Sequence, residues 1–398
     1  MFIIWLLVLG DWRFILNICI ITSSFPSHPD DHLQVPFIID FIEAVKKQGH
    51  LVFVYTQDRP GAKRNFLEGV EVRWFPWIQS RKPLVQLNPL NPLEGYRILN
   101  LLHNGKKALL PFVREHQIDT CLGLWVFPGG YFSNFVYRRA GVPYSVWALG
   151  SDIYRYGKNP FLYLLMKRII HEARGVFADG FDLAKRIEER FGRKCSFLPT
   201  TREIPPAPLL SEEVCKGLAG RPENPYRFLF VGRLEKVKGV DVLLQAMRGL
   251  IKENPNVHLT LVGEGSMGEW VSHFIERGKW SHWITLEKGV PDKRLSQLYA
   301  CSGCVVIPSR SESIPLVFSE ALKFNREMIV TDVGDMGMLG RQYGVAEVVP
   351  PEDSFALKET MRKKVESRHR EKQGQGGEEL KRLFNIETSV ERFLKDYQ

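Results

Sequence analysis

A chain of 398 residues, 44% hydrophobic and 25% charged, has ordinary globular composition and is long enough for two domains, each burying a core. A net charge of +9 favours anionic partners such as nucleotide phosphates, lipid headgroups or nucleic acid. Nucleic acid ranks last, because no aromatic-plus-basic ribonucleoprotein motif and no zinc-finger spacing is present. Six cysteines, at 19, 121, 195, 215, 301 and 304, follow no regular spacing. A chain this long does not need disulfides, so reduced thiols in a cytosol are expected, and Cys301-x-x-Cys304 reads as core packing.

The first residues, MFIIWLLVLG, carry nine apolar side chains, too few to span a bilayer. They lack a basic n-region and a small-residue cleavage site. They read as a misassigned start in preference to a membrane-surface anchor. Ile15 to Thr22 (ILNICIIT) reads as a buried strand of a parallel sheet. A loop, SSFPSHPDDH, leads to a helix near Val35 to Lys47 and a second strand, LVFVYT. His28, Asp30 and His32 in that loop either contact a ligand or are solvated loop residues. LVQLNPLNPL, 84–93, is broken by proline and cannot be a long helix.

Arg97 to His116 reads as a helix carrying Lys106, Lys107 and Arg114. The strand TCLGLWV, the turn Phe127-Pro128-Gly129-Gly130 and a helix to Arg139 follow, then the strand YSVWAL. Ser151 and Asp152 stand at the carboxyl end of that strand, where ligands of open α/β sheets collect. Asn159 to Ala173 is a basic amphipathic helix whose Lys167 and Arg168 touch a membrane or, more commonly, flank a packed core face. After GVFAD and a helix from Leu183 to Phe191, the proline-rich stretch 200–224 reads as an interdomain linker.

The second half opens with the strand FLFVG. Arg233 and Lys238 lie in its strand-to-helix loop, where two cations grip a diphosphate or are merely surface charges. HLTLVG is a strand ending at Gly263-Glu264-Gly265, and Gly289-Val290-Pro291 follows another. The run CVVIP then leads into SRSESIPLVFSEAL, 309–322, around which the chain is organised. Ser313 reads as a helix N-cap and Pro315 as a first-turn residue of a helix from about Ile314 to Phe324. Glu312 would sit on the loop and Glu320 two turns into the helix, broadly facing the same way. Partnerless amides and a positive dipole end attract anions there. The bland alternative is two surface glutamates on an ordinary βα unit.

Glu312 and Glu320 form E-x7-E. Together with YRFLFVGRLEKVKGVDV, LTLVGEG and LSQLYA, this resembles the donor-site signature of retaining GT-B glycosyltransferases of family 4. The resemblance is strong over 227–350 and looser before it. It implies an α/β fold of two Rossmann-like domains facing a cleft: an N-terminal acceptor domain at 15–199, a linker at 200–225 and a nucleotide-sugar donor domain at 226–375. A C-terminal helix, 376–398, would cross back to the first domain. Implied catalytic residues are Glu312, Arg233 and Lys238. Implied donor-binding residues are Glu320, Ser313, Ile314, Pro315, Gly263 and Val290, and acceptor-side residues are Asp152, Ser151 and His32. No metal or other cofactor is expected, since basic residues and dipoles carry the diphosphate charge. Asn325-Arg326-Glu327 stand where the family often has G-x-P, so that loop is expected to move or bind differently.

The function implied is transfer of a sugar, with retention, from a nucleotide-sugar to a glycan or lipid-linked acceptor. The enzyme would be cytoplasmic, with weak association to an anionic membrane surface at its inner face. A phosphorylase or nucleotide-sugar epimerase on the same fold is one alternative. A non-enzymatic nucleotide-sugar-binding module is another. Donor hydrolysis separates the last from a competent enzyme.

Overall fold

The computed structural model describes residues 15–28, 36–59, 62, 66–80, 84, 87–88, 91–156, 160–206, 225–367 and 375–397. The N-terminal apolar stretch, Asp30 and His32, and most of the linker lie outside the described residues.

Short apolar runs buried on both faces make parallel strands, and parallel pairing requires crossovers. The first sheet holds β1 (Asn17–Thr22), β2 (Leu51–Gln57), β3 (Glu71–Phe75), β4 (Thr120–Leu124), β5 (Tyr144–Ala148), β6 (Gly175–Ala178) and β7 (Ser196–Phe197). Its order is β3-β2-β1-β4-β5-β6-β7, all parallel. β4 and β5 are buried along their whole length. The second sheet holds β8 (Tyr226–Val231), β9 (Val257–Val262), β10 (Ile284–Glu287), β11 (Cys304–Ile307), β12 (Glu327–Thr331) and β13 (Ala346–Val349). Its order is β10-β9-β8-β11-β12-β13, again all parallel. Both sheets are doubly wound. Strand order reverses between β1 and β4 in the first and between β8 and β11 in the second. Ligands of open parallel sheets bind at the carboxyl ends beside such reversals.

The chain divides into two compact units. The first takes the described residues through Ala178, with Arg186–Leu198 and everything from Ser389. Its core centres on Trp147, whose indole N–H donates to the Leu198 carbonyl at 2.9 Å. Phe41 packs between Trp147 and Phe393, with ring centroids at 5.2 and 5.9 Å. Tyr397 shares a 2.6 Å hydrogen bond with Ser145. The chain's last residues thus belong to the first unit's core.

The second unit is Asp179–Lys185 with Pro199–Thr388. Its core gathers Leu243, Met247 and Leu250 from the helix Val240–Glu253 with Leu259, Val306 and Ile329 from the sheet. Two boundaries differ from the sequence reading. Asp179–Lys185 goes with the second unit because the Asp335 carboxylate accepts the Asp182 amide at 3.0 Å. The expected terminal helix is two helices, Gln375–Leu383 and Ile386–Leu394. The first stays with the second unit, where Phe384 at its end meets Phe318 at 6.2 Å.

The structure adds elements that the sequence pattern does not predict: β3, only five residues long, the helices Ser151–Tyr156 and Gly268–Arg277, and the helix Met336–Tyr343, whose two glycines dilute its helical signal. Asn325-Arg326-Glu327 is tied down instead of loose. Arg326 donates to the carbonyls of Ala300 and Ser302, at 3.2 and 3.1 Å, and Lys381 reaches Asn325 at 2.5 Å. Cys304 is a free buried thiol, so the C-x-x-C is not a pair. Cys301 is disulfide-bonded, which departs from the expectation of reduced thiols.

At the reversal of the second sheet the backbones after β8 and β11 touch. Gly239 has φ +70°, and a Cβ there would lie 1.9 Å from the Pro308 carbonyl oxygen. Gly239→Ala therefore meets about 1–2 kcal/mol of left-handed strain and a backbone clash besides. A melting temperature several degrees below wild type is expected by thermal unfolding; an unchanged one would rule out this approach of the two loops.

Candidate active site

The loop after β8 carries Arg233 and a short 3-10 turn, Lys236–Lys238. The loop after β11 carries Ser309 to Pro315. Their approach pairs the Lys238 ammonium with the Glu312 carboxylate, both largely buried. The Ser309 hydroxyl donates to the same carboxylate oxygen at 3.2 Å. Arg233, further back in the first loop, is exposed.

Arg310 holds this arrangement, and the sequence reading passed over it. Its amide donates to the Val237 carbonyl at 2.8 Å, and its guanidinium to the Lys236 carbonyl. The guanidinium also grips both oxygens of Asp241, at 2.8 and 2.9 Å, and reaches Glu352 at 2.8 Å. Burial is the largest single influence on Asp241 and works against its ionisation, but the hydrogen bonds and charge of Arg310, with the backbone amides of Asp241 and Val242, together outweigh it and hold the carboxyl below its usual range. One planar fork thus fastens the turn that bears Lys238 to the loop that bears Glu312.

Ser313 is not the helix cap. The helix runs Leu316–Lys323, with Pro315 at the cap position, extended and without a side-chain cap bond. The Ser313 hydroxyl donates to Asp179 at 3.0 Å instead. Ile314 is buried in the core, so the backbone of this segment is what a ligand could meet.

Glu320 is only 4% exposed. Tyr299, on the helix Asp292–Cys301, donates its hydroxyl to Glu320 Oε2 at 2.6 Å. Arg202 stands 3.9 Å from Oε1 and is itself paired with Asp292. Burial pushes the Glu320 carboxyl up, and the Arg202 charge is the largest opposing influence. Arg202 lies in the stretch whose prolines point to a linker, and the structure instead sets it beside Asp292 and Glu320.

Gly263 (φ +145°) turns the chain after β9, where a Cβ would lie 2.0 Å from the Gly232 carbonyl oxygen. Glu264 accepts the Gly289 amide at 3.2 Å, which fixes the segment leading to half-buried Val290. A cavity of about 600 Å³, lined by Leu234, Gly263, Glu264, Gly265, Leu286 and Lys288 among others, opens at these strand ends.

The acceptor-side residues lie in the first unit. Ser151 is exposed at the start of the helix Ser151–Tyr156. Asp152 is buried, and its carboxylate accepts the Val126 amide at 2.6 Å. Burial pushes that carboxyl up to about 6, against backbone hydrogen bonds of which Val126 gives the first. His32 is outside the described residues. Among the described residues no group of three or more His, Cys, Asp or Glu could hold a metal ion.

Two doubly wound parallel sheets, with cations and a carboxylate at the reversal of the second, define the GT-B class of glycosyltransferase fold. The family model "Glycosyl transferases group 1" matches residues 216–380. An uncharacterized glycosyltransferase, MJ1178, of Methanocaldococcus jannaschii is 30% identical over 311 residues, covering 77% of this chain and 82% of that protein. Among solved structures, sucrose-phosphate synthase from Thermosynechococcus elongatus aligns with a TM-score of 0.77 at 16% identity, covering 96% of this chain and 98% of that one. Anabaena Alr3699/HepE in complex with UDP aligns with a TM-score of 0.71 at 16% identity, covering 96% and 99%. The chain belongs to the glycosyl transferases group 1 family and is a glycosyltransferase.

Removing the fork isolates its role. Arg310→Ala leaves Asp241 and Glu352 without their cation, a loss of about 1–3 kcal/mol for charged hydrogen bonds of this kind. Thermal unfolding should show the loss. Arg310→Lys should recover little, because an ammonium cannot make the two-point contact. A variant as stable as wild type would mean the fork does not brace the turn.

Proposed function

We propose that this glycosyltransferase moves a hexose, with retention at the anomeric carbon, from a uridine- or guanosine-diphosphate sugar to a glycan or lipid-linked acceptor in polysaccharide biosynthesis. The observation that carries the reading is the pairing of Lys238 with Glu312 at the reversal of the second sheet. An anionic diphosphate arriving there competes for the ammonium and is met by Arg233 and by the backbone N–H groups of Ile314 and Leu316, proline at 315 having none to offer. These groups stabilise the negative charge that collects on the leaving diphosphate as the glycosidic bond breaks. Glu312, its partner drawn to phosphate, is left to orient the sugar hydroxyls beside the developing oxocarbenium charge. Glu320 accepts from the ribose hydroxyls. Ser313, Gly263 and Val290 border the nucleotide through backbone, and the cations make a metal unnecessary. Complexes of Anabaena Alr3699/HepE with UDP and UDP-glucose support a donor of this chemistry. Ser151, Asp152 and His32 are assigned to the acceptor.

A screen of nucleotide-sugars by thermal shift identifies the donor, since ligand at 100 times its Kd stabilises a fold by about 2.7 kcal/mol. With that donor, Glu312→Gln should lower kcat by roughly 2–4 kcal/mol in barrier, because its contact strengthens in the transition state. Glu320→Gln should raise KM and spare kcat, because a ribose contact is the same before and during reaction. Wild-type kinetics in both would falsify the donor-site assignment.

The acceptor reading has an observation of its own. The helix Pro92–Glu115 leaves Leu93, Tyr96 and Leu99 exposed by 58%, 58% and 66%, at a spacing that puts them on one face. Beyond them, Lys106 lies 4.7 Å over the Tyr131 ring, and Lys107 and His103 line a cavity of about 440 Å³. Apolar side chains beside lysines suit a cytoplasmic enzyme that rests on an anionic leaflet and takes a lipid-linked acceptor. Among the described residues no helix is long and apolar enough to cross a membrane. The chain should float with phosphatidylserine-containing liposomes at low salt and be released at high salt, and Leu93→Glu with Leu99→Glu should weaken flotation. Absence of the wild-type chain from acidic vesicles at low salt would remove the membrane reading.

A further inference from the structure

We infer that Tyr299 and Arg202 are positioning residues for Glu320: the tyrosine fixes which way the buried carboxylate points, and the arginine, borrowed from the segment that joins the units in sequence, keeps it an acceptor. The inference rests on the donor-site reading above, in which Glu320 takes the ribose hydroxyls.

A carboxylate that is 4% exposed cannot rely on water for orientation or charge. Tyr299 supplies the orientation. Its hydroxyl occupies Oε2 at 2.6 Å, and its ring is held by Phe324, stacked at 5.0 Å with 12° between planes. That commits Oε2 to the protein and turns Oε1 toward other partners. Arg202 supplies the charge, 3.9 Å from Oε1, too far for a hydrogen bond but close for Coulomb attraction. Arg202 is itself fixed. Asp292 pairs with its guanidinium, and Lys323 Nζ donates to its backbone carbonyl at 2.9 Å and to Glu203 at 2.5 Å. A lysine one turn beyond Glu320 thus clamps the chain segment that delivers the arginine.

The groups that bear on the Glu320 charge are therefore Tyr299 and Asp292 from the helix Asp292–Cys301, Arg202 from the joining segment and Lys323 from its own helix. Burial favours the protonated carboxyl, and Arg202 opposes this more than any other group. A raised carboxyl is ionised only above its shifted value, so ribose acceptance is present at high pH and lost as pH falls. Removing Arg202 moves that loss to higher pH.

The test is calorimetric titration of the full chain with UDP and with GDP at pH 6, 7 and 8, alongside melting temperatures. Tyr299→Phe should weaken the better nucleotide about tenfold, the worth of one hydrogen bond to a charged group. Arg202→Met should bind nearly as wild type at pH 8 and fall away toward pH 6 more steeply than wild type, and Arg202→Lys should restore part of the profile. Glu320→Gln should be weak at every pH. If Glu320→Gln is weak while Tyr299→Phe and Arg202→Met follow the wild type, the positioning roles are wrong and the donor site stands. A uniform loss in Arg202→Met, with no change of profile, also overturns its role. If Glu320→Gln binds as wild type, or the wild type binds neither nucleotide, the donor-site reading fails and this inference with it.

Discussion

The second unit depends on a backbone contact at the reversal of its sheet, where the chain after β8 passes within touching distance of the chain after β11. In a doubly wound parallel sheet the two strands flanking the reversal send their crossovers in opposite directions, which leaves a crevice over their carboxyl ends. Gly239 lets the two loops close on that crevice. The same approach brings Lys238 and Glu312 together as an ion pair. Arg310 then converts a contact into a fixed geometry by binding backbone and side chains of one loop from the other.

An ion pair of this kind is a poor source of stability. Desolvation of two charges takes back much of what their attraction contributes. What the pair does is hold the Lys238 ammonium in place at the strand ends, with Glu312 balancing its charge. The fork on Arg310 is a different case. It is bidentate, half-buried and linked to Glu352 as well as Asp241, the combination in which charged hydrogen bonds do hold structure.

All strands but the short β3 and β7 were legible where parallel sheets bury both faces and leave unbroken apolar runs such as CVVI and TCLGL. That Arg233, Lys238 and Glu312 stand on strand-end loops was legible because each loop follows directly after such a run. What could not be read were side-chain partnerships that tertiary structure decides. Ser313 looked like a cap because serine before a helix usually is one, but Asp179 takes its hydroxyl and proline fills the cap position. Arg202 stood in a stretch whose prolines advertise a linker, and nothing local marks it as the partner of Asp292. Asn325-Arg326 looked loose for want of glycine and proline. Asparagine tolerates the left-handed backbone required there, at φ 53°, and Arg326 ends a neighbouring helix by binding its last carbonyls.

The two glutamates of E-x7-E come from one short stretch yet sit in opposite settings. Glu312 meets an ammonium and a hydroxyl on a loop at the strand ends, so its charge is balanced by a partly exposed lysine. Glu320 lies inside the unit, pinned by a phenol and watched by a guanidinium that is itself anchored. Environment makes chemically identical carboxyl groups different in burial and partners. The contrast follows from position alone: eight residues of chain carry the carboxylate from a loop at the strand ends into a helix packed against another helix.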